Sequence, residues 1–183
     1  MTKIDEHPAV TMRPRPWRRP RWVVAVATIA LAGIAFVLVW FQPQKLLINT
    51  RVVEALPSGV VGASLQASSP ASPELVHGSL ISLEHPSSGE VRVLRESSGA
   101  RVLRLEGLTT SNGPDLFVYL SANPAHGPES AFDDTYVSLG HLKGNQGDQN
   151  YALPANVDLS KYSSVVIWCH RFSAAFAAAD LVS

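Results

Sequence analysis

The chain opens on a polar, basic segment and then turns apolar. Residues 22–41 run Trp-Val-Val-Ala-Val-Ala-Thr-Ile-Ala-Leu-Ala-Gly-Ile-Ala-Phe-Val-Leu-Val-Trp-Phe, twenty positions without a charge. A helix of that length rises about 30 Å, the thickness of a bilayer's hydrocarbon core. Trp22, Trp40 and Phe41 stand at its two ends, where aromatic rings favour the membrane interface. The pattern predicts a transmembrane helix over 22–41. A cleaved signal peptide has a shorter apolar region and small residues at its cleavage site. Gln42-Pro43-Gln44-Lys45-Leu46 offers no such site, so an uncleaved anchor is expected.

Beyond Glu74 the apolar period is two. Residues 75–83, 90–96, 101–106, 116–120, 136–139, 164–172 and 174–181 each read as a strand, with turn signals such as His85-Pro86-Ser87-Ser88-Gly89 and Ser97-Ser98-Gly99 between them. Arg101-Val102-Leu103-Arg104-Leu105-Glu106 alternates like a strand with one wet face. Residues 164–172 form the most apolar run and are expected to be a central strand. No amphipathic helix interrupts the series. The expected fold class is all-β, an antiparallel β-sandwich or barrel preceded by one N-terminal transmembrane helix. Periodicity leaves sandwich against barrel, and the strand order, open.

Residues 42–73 join the two parts. Leu46, Leu47, Ile48, Val52, Val53 and Leu56 suggest a short ordered stalk, and 57–73 is Ser, Ala, Gly and Pro-rich with no charged residue. That composition is too poor in large apolar groups to pack, and reads as a flexible linker. The expected organisation is a basic tail (1–21), a membrane span (22–41), a stalk and linker (42–73) and a β domain (74–183). The last part is long enough for one core.

The formal net charge of zero over 183 residues hides an asymmetry. Residues 1–21 carry six basic and two acidic side chains; residues 22–183 carry nine and thirteen. The positive-inside rule then puts the N-terminus in the cytoplasm and the β domain outside the cell membrane, with the lipid bilayer as partner of 22–41. The mildly acidic external part has no basic stripe for nucleic acid. The tract Arg13-Pro14-Arg15-Pro16-Trp17-Arg18-Arg19-Pro20 is read first as a topology signal beside anionic headgroups, with protein docking as the alternative.

Cys169 is the chain's single cysteine, so no internal disulfide can form. Strand alternation sets Val165, Ile167, Cys169 and Arg171 on one face and Val166, Trp168, His170 and Phe172 on the other. If the first face is the core, Cys169 is a small hydrophobe. If Cys169 is partly exposed near the strand end, Arg171 and His170 can favour its thiolate, and the chemistry is redox. The histidines of the β domain, His77, His85, His126, His141 and His170, show no metal-site spacing. The run Gly144-Asn145-Gln146-Gly147-Asp148-Gln149-Asn150, and Glu129, Asp133 and Asp134 beside His126, offer oxygen ligands, but read as solvated turns. No metal site is expected. No Gly-x-Ser-x-Gly elbow, His-Glu-x-x-His helix or phosphate loop occurs, so an ordinary enzyme is not expected.

Several blocks in one order resemble the DM-thirteen domain, named as an electron-transfer domain. They are Leu103-Arg104-Leu105-Glu106; Thr110-Ser111-Asn112-Gly113-Pro114-Asp115-Leu116-Phe117-Val118-Tyr119-Leu120-Ser121; Leu139-Gly140-His141-Leu142-Lys143-Gly144 on through Tyr151; Pro154; Val157-Asp158-Leu159-Ser160-Lys161-Tyr162; Val165-Val166-Ile167-Trp168-Cys169; and Arg171-Phe172-Ser173. Val53-Glu54-Ala55-Leu56-Pro57 is similar to the stalk of bacterial membrane-anchored members. The resemblance implies a β-rich extracytoplasmic domain whose hallmark cysteine, here Cys169, acts as a bare redox thiol or ligates a prosthetic group such as haem. His170 stands where the family pattern has lysine, and is carried beside Cys169 as a cofactor-binding candidate. Covalent c-type haem is excluded, since no Cys-x-x-Cys-His occurs. The function so implied is an electron-transfer or thiol-redox accessory with a redox or surface protein partner. The alternative is a non-catalytic binding module with Cys169 structural and loops 107–115 and 123–150 presenting the surface.

Overall fold

The computed structural model describes residues 20–41, 48–57 and 74–183. The basic tail and the Arg/Pro tract up to residue 19, and residues 58–73 of the linker expected over 57–73, lie outside them.

The first described unit is one helix, α1 (Arg21–Phe41), which begins just after Pro20. Over Arg21–Trp40 its mean hydropathy is 2.6, making it long and apolar enough to cross a membrane. Thr28 Oγ1 donates to the Val24 carbonyl at 2.9 Å, so the one hydroxyl in the span is satisfied inside the helix.

The second unit is a two-layer β-sandwich. Its strands are β1 (Arg51–Val53), β2 (Glu74–Ser79), β3 (Ile81–Ser82), β4 (Ser88–Arg95), β5 (Arg101–Thr109), β6 (Leu116–Ser121), β7 (Tyr136–His141), β8 (Gln146–Leu153), β9 (Ser164–Cys169) and β10 (Ala174–Asp180). One sheet has the order β1-β8-β5-β4-β2 and the other β3-β10-β9-β6-β7. The all-β class is therefore correct, and of its two open forms the chain adopts the sandwich. Between the sheets lie Val91, Val93, Leu103, Leu105, Tyr151 and Leu153 from the first, and Leu116, Val118, Leu120, Val165, Ile167, Cys169 and Phe176 from the second. Each fully buried Val, Leu or Ile contributes about 1.5–3 kcal/mol. β9 is central, as its composition predicts, and is buried along its whole length.

Three elements depart from the sequence expectation. The run expected as one strand over 75–83 splits into β2 and β3, which belong to different sheets. The chain turns a corner at Leu80, and Gly78 packs so tightly on β10 that a Cβ there would sit 2.0 Å from the Asp180 carbonyl oxygen.

The polar run read as a turn over 144–150 instead contains β8, paired to β5 and β1. Polarity hid it, because its inward Gln149 is fully buried and hydrogen-bonded. Its Nε2 donates to the Gly144 carbonyl, and its Oε1 accepts from Lys143 N at 3.1 Å and from Tyr151 Oη at 2.7 Å. Burial pushes the Tyr151 phenol up to about 12, against the opposing pull of its Lys143 backbone contact. Outward Asp148 and Asn150 meet Arg104, a buried guanidinium that also holds Glu106 at 2.7 Å.

The third departure is the stalk, which is part of the sandwich. β1 pairs parallel with β8, Arg51 opposite Gln146 and Val53 opposite Asp148. Gly147 (φ +95°) makes the approach feasible, since a Cβ there would lie 1.9 Å from the Val52 carbonyl oxygen. Thr50 N donates to Asn145 Oδ1 at 2.8 Å, and Arg104 Nη1 donates to the Glu54 carbonyl at 3.1 Å. The Glu54 carboxylate accepts from Lys143 Nζ at 2.7 Å and Asn150 N at 2.6 Å.

Burial of Glu54 opposes its charge, but Lys143, the Asn150 N–H and Arg104 outweigh it and hold the carboxyl below the ordinary glutamate range. A carboxyl depressed on folding adds stability that is complete above its unfolded pKa and lost as pH falls through its folded one. The gap in thermal stability between the wild type and Glu54→Gln should be full at neutral pH and close as the solution is acidified below the ordinary glutamate value. A gap constant through the acid range would mean that the charge does not hold β1.

Candidate functional site

β9 presents different chemistry on its two faces. Cys169, its last residue, is fully buried in the core between the sheets. It pairs with Leu116 of β6 and Ala174 of β10. Directly opposed residues on antiparallel strands share a face, with Cβ atoms about 4.5–5.5 Å apart. Leu116 is thus the side chain beside the thiol toward the end of the sandwich.

Leu116 also lines a cleft of about 500 Å³ at that end. Around it stand Thr50, Asn112, Asp115, His141, Lys143 and Arg171. The apolar layer between the sheets that holds Cys169 reaches this polar, mixed-charge cleft through Leu116. That layer is held from outside: a Cβ added to Gly113 would meet Leu116 Cδ2 and Phe176 Cζ at 3.0 Å. His141 Nδ1 lies 3.8 Å from Asp115 Oδ1.

His170 follows Cys169 but turns to the other side of the sheet. Its Nε2 is hydrogen-bonded to the Tyr119 phenol, and its ring stacks on Phe117 at 4.3 Å. The structure therefore does not bring Cys169 and His170 together; alternation along β9 separates them. Arg171 is the cation on the thiol's side, and it reaches the cleft.

The outer face of β6 and β9 carries a second apolar cluster, Tyr119, Phe132, Val166 and Trp168, with Ala125 and Phe117 packed on it. Residues 122–135 cross over part of it, and Ala125 N donates to Asp180 Oδ1 at 2.6 Å to hold that crossing. The aromatic residues reading outward from β6 and β7 were not singled out by sequence. The alternation of Phe117 and Tyr119 with Leu116 and Val118 is the signal that marks both faces of β6 as packed.

A haem ligated by Cys169 does not fit these residues. The thiol is fully buried in the apolar cluster between the sheets, with Leu116 paired to it on β6, and Cys169 is not among the residues that line the cleft. His77 lies on β2, and His85 packs on Phe176 at 3.8 Å. His141 and His170 hold one Phe117 ring between them at 4.0 and 4.3 Å, leaving no slot for a macrocycle. Among the described residues no group of three or more His, Cys, Asp or Glu side chains is arranged to hold a metal ion. Glu129 and its neighbours sit in and after a single 3-10 turn, Glu129–Ala131.

The packing around the thiol sets the cost of replacing it. Cys169→Ser puts a hydroxyl into the apolar cluster between the sheets, and should lower stability by about 1–3 kcal/mol. Cys169→Ala, which leaves only a small void, should cost less. Denaturant unfolding of the two variants checks the order; a serine variant as stable as the alanine one would mean that the site is wetter than its packing indicates.

Residues 79–181 match the family model described as Electron transfer DM13. No curated protein and no solved structure matches the chain. The matched segment runs from the end of β2 to just past β10, takes in Cys169, the cleft lining other than Ile48 and Thr50, and the outer aromatic face, and spans more than half of the 183 residues. This chain belongs to the Electron transfer DM13 family.

Proposed function

We propose that the protein is a membrane-anchored, extracytoplasmic electron-transfer accessory in which Cys169 is a gated redox thiol. The observation that carries this reading is the pairing of buried Cys169 with Leu116, a residue that lines a polar cleft, in an electron-transfer family domain. Helix α1 is taken as an uncleaved single-pass anchor in the lipid bilayer. Arg13, Arg15, Arg18, Arg19 and Arg21 favour a cytoplasmic N-terminus, which leaves the sandwich outside. A lone thiol there escapes cytosolic reductants.

Exchange with a disulfide requires the thiolate sulfur to touch the sulfur it attacks. In the closed arrangement Leu116 prevents that. A partner protein seated in the cleft would displace Leu116, admit its own disulfide to Cys169 and place Arg171 beside the forming thiolate. Cys169 would then displace one partner sulfur as thiolate and form a mixed disulfide. With no second cysteine in this chain, a thiol of the partner must resolve it.

Full burial of Cys169 favours a second reading, a binding module whose cysteine is structural and whose cleft takes a polar ligand. Glutathione disulfide distinguishes the two. In the folded, membrane-reconstituted protein, Cys169 should form the mixed disulfide slowly, and markedly faster in Leu116→Ala, as read by intact mass. If neither protein reacts until it unfolds, the gated thiol falls and the binding module stands.

A further inference from the structure

We infer that Tyr119, not only Cys169, is a redox group of this domain: a buried tyrosine that is oxidised by one electron while its phenolic proton passes to His170. The inference rests on the reading of the domain as an electron carrier, but makes no use of the thiol.

Tyr119 is fully buried in the outer-face cluster of β6 and β9, and its phenol is hydrogen-bonded to His170 Nε2. With His170 neutral and its proton on Nδ1, the phenol donates and the imidazole accepts. Any acceptor would satisfy a buried phenol. What sets this pair apart is its surroundings on both sides. The ring of Tyr136 stacks on Tyr119 with centroids 4.2 Å apart, and Tyr136 is 40 % exposed at the start of the edge strand β7. Trp168 lies on the other side, its ring 6.5 Å from Tyr119 and 3 % exposed. Three oxidisable rings thus lead from the solvent edge to the buried layer. His170 sits in the exposed turn between β9 and β10, so the base is in exchange with water although the phenol is not.

Electron tunnelling weakens exponentially with distance, so rings in contact serve as successive steps where one long jump would be slow. A phenol that loses an electron becomes a strong acid, and without a base in place its oxidation stalls. Here the base is in place before the electron leaves. The step balances as follows. A one-electron oxidant of the metal-complex class at the β7 edge takes one electron from Tyr119 by way of Tyr136. The phenolic O–H bond breaks and its proton forms a bond to His170 Nε2. A neutral phenoxyl radical and an imidazolium remain. One electron from a one-electron reductant, again of the metal-complex class, and return of the proton from His170 Nε2 to the phenoxyl oxygen restore the pair. Because the apolar cluster around the ring keeps out water and reductants, the radical on Tyr119 should outlive one on an exposed tyrosine.

The test uses the full-length protein carrying Cys169→Ala, so that the outcome is independent of the thiol. Flash-generated ruthenium(III) tris-bipyridine serves as oxidant, with electron paramagnetic resonance and transient absorption as readouts. A long-lived tyrosyl radical is expected, with a solvent deuterium isotope effect on its formation. It should be lost in Tyr119→Phe, and Tyr136→Leu should slow its formation. His170→Phe keeps a ring on Phe117 at an exposed turn but removes the base; it should slow radical formation and abolish the isotope effect. A radical that persists in Tyr119→Phe, or one that forms in His170→Phe at the wild-type rate with the same isotope effect, overturns the assignment. Failure here leaves the gated thiol standing, and failure of glutathione exchange leaves Tyr119 untouched.

Discussion

The double burial of β9 is the constraint on which the rest depends. A strand packed on one face can alternate apolar with polar residues; a strand packed on both cannot. Ser164-Val165-Val166-Ile167-Trp168-Cys169 has no charged residue, and every one of its side chains is buried. It needs an opposite sheet on one side, which β4, β5 and β8 supply, and a cover on the other, which residues 122–135 and the rings of β6 supply. Ala175, Ala177, Ala178 and Ala179 on neighbouring β10 are small on both faces and let both layers close against it.

Two chemically distinct sites follow, on opposite faces of the paired strands β6 and β9. Inward, Cys169 is shielded by Leu116 from a polar cleft. Outward, Tyr119 is shielded by its cluster but tied to a base that meets water. Shielding has opposite consequences for the two. On the proposed readings, thiol exchange needs direct sulfur contact and waits on the Leu116 side chain, whereas electron passage through stacked rings needs no opening at all.

Most of the fold is legible in the sequence wherever one rule governs a segment. Residues 22–41 announce a membrane-length helix by apolar composition alone, and 101–106 announce a strand by period. β9 announces its centrality by lacking any charge. The segments that mislead obey two rules at once. β8 has a strand's backbone with a turn's composition, because the side chains of Gln149, Asp148 and Asn150 complete hydrogen bonds that other elements need. β2 and β3 share one apolar run because Gly78 permits close backbone approach just before the corner at Leu80. At the site, alternation correctly separates Cys169 from His170. The pairing of His170 with Tyr119 is invisible, since they stand 51 positions apart in the chain and only strand order brings them together.

The docking of β1 separates two kinds of attachment that coincide in most tethered domains. β1 lies at one edge of its sheet and β2, the next strand in the chain, at the far edge of the same sheet. A proteolytic cut between residues 58 and 73 would sever the polypeptide without shedding the domain. The two fragments would stay joined through the β1–β8 ladder, the Glu54–Lys143 ion pair and the hold of Arg104 on the Glu54 carbonyl. Separation of the two fragments requires breaking that ladder and those contacts, to which the charge of Glu54 contributes.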